Sequence, residues 1–312
     1  MNDQTAPINE AYEELVHLVN LHLLPGMKQG PLKKLVQSFG SAKKACELHD
    51  ERALRHIKGI SQETRRAIMN ANHRLPLAER YTERMQKMGI RVVTSGKLQF
   101  PRNISELAFP PWLIYILGNP DILEGGSVGI VGSSNPSDKG RAIALEISAR
   151  LGRAGITVVS GMAKGIDSAA HEGVMKAGGN TACVIPTGIL RFRAGGKLPP
   201  AQEFLQRGCV ISECPPDAEW STPAAVARNR IIAALSSALL VVETTVKGGA
   251  MHTFRAAQEL GRPVFVTKYR KPPEPASGNN TAIGMGATPI ARLAETDLII
   301  QAARSCQDQK TD

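Results

Sequence analysis

Residues 127–167, SVGIVGSSNPSDKGRAIALEISARLGRAGITVVSGMAKGID, constrain the fold of this 312-residue chain more than any other segment. They read as an apolar strand, a Gly/Ser loop, an amphipathic helix, a second apolar strand, and a Gly-rich loop opening another helix. That order is a βαβ unit, whose two strands lie parallel in one sheet with the helix on its face. Both loops fall where backbone N–H groups at a helix N-terminus can meet an anion. The first loop, Gly132-Ser133-Ser134-Asn135, is small and polar, so little side chain obstructs a phosphate. The second, Ser160-Gly161-Met162-Ala163-Lys164-Gly165, adds a cation beside the amides. The expected ligand is phosphorylated.

The pattern continues downstream. Short, β-branched apolar runs at 181–185, 210–212, 239–242 and 264–266 alternate with helical segments around 141–151, 166–177, 224–234 and 253–260. Continuous apolar runs of this length suit parallel strands covered on both faces. Residues 90–94 and 113–117 are also strand-like, separated by a Pro-rich connection. Upstream the period is helical, broken at Leu24-Pro25-Gly26-Met27 and again at Ile57-Lys58-Gly59-Ile60-Ser61. Each break has the grammar of a helix-hairpin-helix turn, where glycine supplies the backbone geometry. Lys28, Lys33, Lys34, Lys58, Arg65 and Arg66 cluster around these turns, either to hold a nucleic-acid backbone or simply as a solvated face. The expected architecture is an α/β, doubly wound, Rossmann-like and mostly parallel sheet over 77–312. A small all-helical domain of helix-hairpin-helix (SAM-like) type precedes it over 1–76.

Charge and composition narrow the partners. A net charge of +10 favours a polyanion such as nucleic acid. Five cysteines, scattered and without CxxC or His-rich spacing, argue for a reducing cytoplasm and against a structural metal. The N-terminal MNDQTAPINEAYEELVHLV is acidic and helix-patterned, unlike a signal peptide, and no apolar run is long enough to span a membrane.

In doubly wound sheets ligands bind at the carboxyl ends of the strands. Segments 132–135, 160–167, 186–193 and 243–253 are expected at that edge, the last containing Lys247 and Gly248. The dinucleotide GxGxxG fingerprint after a strand and the GxxxxGK[ST] loop are both missing, so hydride transfer and ATP hydrolysis lose their usual supports, and no cofactor is implied. No Ser/His/Asp or Cys/His set can be assembled from spacing, so no catalytic residue is assigned. His171, beside alanines within a helix, reads as a packing or capping residue, and Asp167 as the group ordering the start of that helix. Arg228 and Arg230 are two apart with Asn229 between them at the start of an apolar helix. They point to different sides, one toward phosphate and the other toward an acid such as Glu243. Aromatics make up only 4% of the chain, and Phe192 is the nearest candidate for a base-stacking platform.

The runs GIVGSSNPSDKGR, VVSGMAKGIDSAAHEG, ARNRIIAALSSALLVVE, KGGAMHTFRAAQELGRPVF and SGNNTAIGMGA occur in the order found in the DNA-processing family called DprA or Smf, which this chain resembles. Upstream, LLPGMKQGPLKKLVQSFGSAKKA and FPRNISELAFPPWLIYILGN are similar to that family's helical domain and its entry into the sheet. The resemblance implies a cytoplasmic, non-catalytic single-stranded DNA binder. Such a protein dimerises through its Rossmann-like domain, loads a RecA-like recombinase and serves natural transformation or recombination. Carried over by motif, the pocket would use Gly132, Ser133, Ser160, Gly161, Lys164, Gly165, Arg228, Asn229, Arg230, Lys247 and Gly248. Ser134 stands where the family usually has arginine, which removes a phosphate-facing cation. Leu190-Arg191-Phe192-Arg193 replaces the common Tyr-Pro, and Arg191 or Arg193 could restore the lost charge. Thr267-Lys268-Tyr269 replaces an expected Pro-Gly. The C-terminal winged helix of many members has no counterpart in this sequence. The competing expectation is a nucleotide-binding or nucleotide-cleaving enzyme or sensor of the same superfamily. Against it, Gly248-Gly249-Ala250-Met251-His252-Thr253 departs from the GGxGTxxE signature of the related phosphoribohydrolases.

Overall fold

The computed structural model describes residues 6–193 and 201–308. The chain begins with α1 (Ala6–His22), α2 (Gln29–Phe39), α3 (Ala42–Cys46), α4 (Gln62–Met69) and α5 (Leu75–Lys87). Two antiparallel strands follow, β1 (Arg91–Thr94) and β2 (Leu113–Gly118). Alternation then sets in through β3 (Ser127–Val131), α6 (Asp138–Arg153), β4 (Thr157–Ser160), α7 (Ile166–Lys176) and β5 (Thr181–Val184). It continues through α8 (Ala201–Arg207), β6 (Gly208–Ser212), α9 (Thr222–Leu235), β7 (Ala238–Val241), α10 (Ala250–Glu259) and β8 (Val264–Thr267). The described chain closes with α11 (Asn279–Gly284), β9 (Thr288–Ile290) and α12 (Thr296–Asp308).

Among the described residues the strands form one nine-stranded sheet in the order β1-β2-β6-β5-β4-β3-β7-β8-β9. All neighbours from β6 to β9 pair in parallel, and β2 joins β6 antiparallel. The chain runs outward from β3 through β4 and β5 to β6, then crosses back to lay β7 on the other side of β3. Strand order therefore reverses between β3 and β7, and a crevice opens at their carboxyl ends.

Side-chain alternation explains how both faces are covered. On one face Ile114, Ile116, Val131, Val159, Val184, Ile211, Leu239 and Val241 meet α9 and α10 through residues such as Ile231, Leu235, Met251 and Phe254. On the other, Val128, Ile130, Val158 and Leu240 meet α6, α7 and α12. The half of that second face built from β2, β5 and β6 is covered by the N-terminal helices, where Tyr115, Leu117, Cys183 and Val210 share a core with Leu21, Leu32 and Met85. Burying each such Leu or Ile side chain contributes about 1.5–3 kcal/mol, so this helical layer is a structural wall of the sheet. The expected boundary at residue 76 falls inside α5, and the helical layer runs on to Lys87.

The two expected hairpin turns are present and pack on one another. Gly26 and Gly59 both adopt left-handed backbone, with φ of 71° and 89°. Thr64 Oγ1 donates to the Pro25 carbonyl at 3.0 Å, and a methyl group on Gly26 would fall 2.7 Å from that hydroxyl oxygen. Gln29, at the start of α2, ties this region to the sheet edge by donating to the carbonyls of Leu113 and Glu213 and accepting from Leu113 N. Among the described residues no helix is long and apolar enough to cross a membrane.

Candidate functional site

The loops that leave β3, β4 and β7 interlock with α9 into one rim at the carboxyl edge. Ser133 N donates to the Glu243 carbonyl at 2.7 Å, joining the first loop to the third. Ile166 N donates to the Ser133 carbonyl at 3.1 Å, joining the second loop to the first. Gly165, at φ 80°, lies so close to the first loop that a methyl group there would sit 2.5 Å from the Ser133 oxygen. Asn229 Nδ2 reaches from α9 to the Gly249 carbonyl at 3.2 Å. The Arg228 guanidinium lies directly over Gly161, where a methyl group would fall 1.6 Å from Nη1. Gly161 is held from behind, since its carbonyl bonds to His171 Nε2 at 2.7 Å and accepts from Cys183 Sγ at 3.5 Å.

The residues singled out from the sequence divide by role. Lys164 and Lys247 are exposed cations on the rim, and Ser134 is exposed beside them. The amides of Ser134, Met162 and Lys164 donate to no acceptor among the described residues, so they remain open to a ligand. Gly132, Ser133, Gly165 and Asn229 join the loops and α9 to one another. Gly248 N closes a turn onto the Thr245 carbonyl, and Ser160 Oγ donates back to the Ile130 carbonyl. The expectation that one arginine pairs with Glu243 is corrected. Arg228 pairs with Asp167 at 3.7 Å and Arg230 pairs with Glu213, because α9 passes over β5 and β4 with Arg228 above the β4 loop and Arg230 toward the β6 loop. The N-terminus of α6 behind the first loop is already engaged by the buried Glu243 carboxylate, through Ser137.

Arg228 is the focus of the site. It is only 8% exposed, and its Nε has no partner among the described residues. Burial raises the Asp167 carboxyl above its ordinary range, and the nearby Arg228 charge only partly offsets this. Asp167 also accepts from Ala163 N at 3.3 Å, the loop-ordering role expected of it. Arg228 lines a cavity of about 250 Å³ together with Met162, Thr187, Phe192, Arg193 and Trp220.

This cavity revises the aromatic assignment. Phe192 is 7% exposed, with its ring centroid 5.7 Å from that of the buried Phe204, so it offers little face to a base. Trp220 is 62% exposed on the cavity wall and has a free face. Its place on the cavity wall depends on how the loop after β6 folds back toward the loop after β5, which spacing does not show. The available signal was a tryptophan in a Pro-rich stretch just before Ser221, whose hydroxyl caps α9. Arg191 is held by Asp217 at 3.2 Å and Glu219 at 3.3 Å, and Arg193 bonds the carbonyls of its own loop. Lys268, Arg270 and Lys271, all exposed, extend the positive charge past β8. His171 is fully buried with both ring nitrogens bonded, to Thr181 Oγ1 and the Gly161 carbonyl, which matches its reading as a packing residue.

Comparison with known proteins places this architecture. A family model described as DNA recombination-mediator protein A matches residues 91–302. Protein Smf of Synechocystis sp. is 32% identical over 272 residues, which cover 86% of this chain and 67% of that protein. The chain spans 58–67% of the length of the first curated relatives it matches. The structure of DNA processing protein A from Streptococcus pneumoniae is similar with a TM-score of 0.69 at 26% identity, covering 92% of this chain and 96% of that one. DNA processing protein A from Helicobacter pylori, studied for its single-stranded DNA binding mode, shares the fold with a TM-score of 0.60 at 24% identity. It covers 68% of this chain and 96% of that one. The chain therefore belongs to the DNA recombination-mediator protein A family, the DprA/Smf proteins.

Proposed function

We propose that the rim binds single-stranded DNA, with Lys164, Lys247 and the open amides of Ser134, Met162 and Lys164 following the phosphates while one unstacked base enters the cavity beside Trp220. The observation that carries this reading is Arg228. A buried guanidinium, its Nε without a partner among the described residues, lines a cavity at the junction of the loops, and an exposed indole lines the same cavity. Phosphate contacts of this kind supply affinity without reading sequence. A base can enter such a cavity only when it is unstacked, so a single strand is favoured over a duplex.

The protein is read as a binder rather than a catalyst, and His171, behind Gly161, has both ring nitrogens committed within the core. The site residues Gly132, Ser133, Ser134, Ser160, Gly161, Gly165, Asn229, Arg230 and Gly248 shape the rim in this account. Family membership extends the proposal to a homodimer built through the sheet domain and to delivery of the bound strand to a RecA-like recombinase.

Trp220→Ala tests the base pocket. Loss of one stacking contact is expected to weaken single-stranded DNA binding by about 1–3 kcal/mol. The variant should then bind an intact strand no better than wild type binds a strand of abasic sites, as read by fluorescence anisotropy. If the variant and wild type bind the intact strand equally, the cavity holds no base.

A further inference from the structure

Glu243, immediately beyond β7, is fully buried at 0% exposure. Its carboxylate sits against the N-terminus of α6. Ser137 N donates to Oε2 at 2.8 Å, Ser137 Oγ donates to Oε1 at 2.6 Å, and Tyr269 Oη donates to Oε1 at 2.8 Å. The first turn of α6 closes directly on this group, since a methyl group on Gly140 would fall 2.3 Å from the carboxyl carbon. Outside, Lys139 Nζ stands 5.4 Å from the Tyr269 ring centroid and adds a cation to the same place. Burial and the bond to Glu243 push the Tyr269 hydroxyl well above its ordinary pKa, so it stays a donor.

The position of this carboxylate gives it meaning. It lies in the crevice between β3 and β7, where strand order reverses. In open α/β sheets that crevice, with a helix N-terminus behind it, is the seat of a nucleotide phosphate. Here one carboxyl side chain accepts from the amide and hydroxyl of the N-cap residue Ser137 and from a phenol, donors of the kind a phosphate would use. We infer that Glu243 is the chain's own substitute for that phosphate and acts as a specificity-determining residue. It fills the seat permanently, excludes free nucleotides, and leaves the outer face of the rim as the place for an anionic ligand. The inference rests on the reading that the ligand is a strand lying along the rim.

The seat can be opened. Glu243→Ala removes the carboxylate and strands three donors, whereas Glu243→Gln keeps the seat filled. The probes are inorganic phosphate and AMP at millimolar concentration, compared with sodium chloride at equal ionic strength by thermal unfolding. Wild type and E243Q are expected to shift by less than about 1 °C, while E243A, starting from a lower Tm, rises by about 3 °C or more. Should E243A fail to fold in chloride, recovery of folded protein on refolding in phosphate is the equivalent positive result. An E243A chain that gains nothing from phosphate, folded or not, overturns the inference, as does wild-type protein stabilised by AMP as strongly as E243A. Strand binding by the wild type is measured separately, so failure of the phosphate response sinks this inference alone.

Discussion

Arg228→Ala is expected to weaken single-stranded DNA binding by about 10- to 100-fold, the range for losing a charge-assisted hydrogen bond. It is also expected to destabilise the fold by roughly 3 kcal/mol, because Asp167 is left buried without its cation. Both effects arise from one geometry, in which the guanidinium spans the gap between Asp167 and the cavity while lying on Gly161. Gly161→Ala retains the positive charge but forces the guanidinium away from its seat, so binding falls as in R228A. Equilibrium unfolding in urea and oligonucleotide anisotropy on the same samples give the two readouts. A destabilised R228A that binds DNA as tightly as wild type would reduce Arg228 to a structural pin for Asp167.

Acidification is expected to unfold the protein between about pH 6.5 and pH 4. His22 and His171 are both fully buried, and burial lowers each from 6.5 to about 4. His22 donates to or accepts from the Tyr115 hydroxyl at 2.8 Å and stacks on its ring, and His171 is fixed between Thr181 and Gly161. In this window the unfolded chain binds protons that the folded chain does not, so stability rises with pH. Each imidazole contributes stability that is complete above pH 6.5 and lost as pH falls toward 4, about 3 kcal/mol apiece. The buried carboxyls of Asp167 and Glu213 are raised instead, and they oppose the trend by favouring the fold as they protonate. Two histidines at this magnitude are a large share of the 5–15 kcal/mol typical of a folded domain. Urea midpoints at pH 7, 5.5 and 4.5 check the expectation, with His22→Gln and His171→Gln each flattening the pH slope. A midpoint unchanged between pH 7 and pH 4.5 would show that these imidazoles ionise freely in the folded chain.

Most of the sheet was legible because parallel strands buried on both faces leave unmistakable apolar runs. The segments expected at 157–160 and 181–185 are β4 and β5 within a residue. β9 was not read because it has three residues, one of them Pro289, and two of the three are exposed. α8, α11 and α12 were likewise missed, the first two being too short for a helical period to show. At the site, loops following strands could be placed on one edge from order alone, and Lys164 and Lys247 proved exposed there. Pairings could not be read the same way. Glu243 bonds to Ser137 and Tyr269, more than twenty residues away on either side, and only the packed sheet brings the three together. The partners of Arg228 and Arg230 depended on how α9 crosses the sheet, which strand order decides and spacing does not. Trp220 was overlooked because a lone aromatic in a Pro-rich loop has no periodic signature.

The proposed rim grips a phosphate backbone beside a cavity that only an unstacked strand can use. Titration of labelled single-stranded and duplex oligonucleotides across a series of salt concentrations tests it most directly. Tighter binding of the single strand is expected at every salt concentration, with log affinity falling linearly against log salt and a shallower slope for the Lys164→Ala, Lys247→Ala double variant. Equal affinity for both forms, or binding indifferent to salt and to the loss of both lysines, would contradict it.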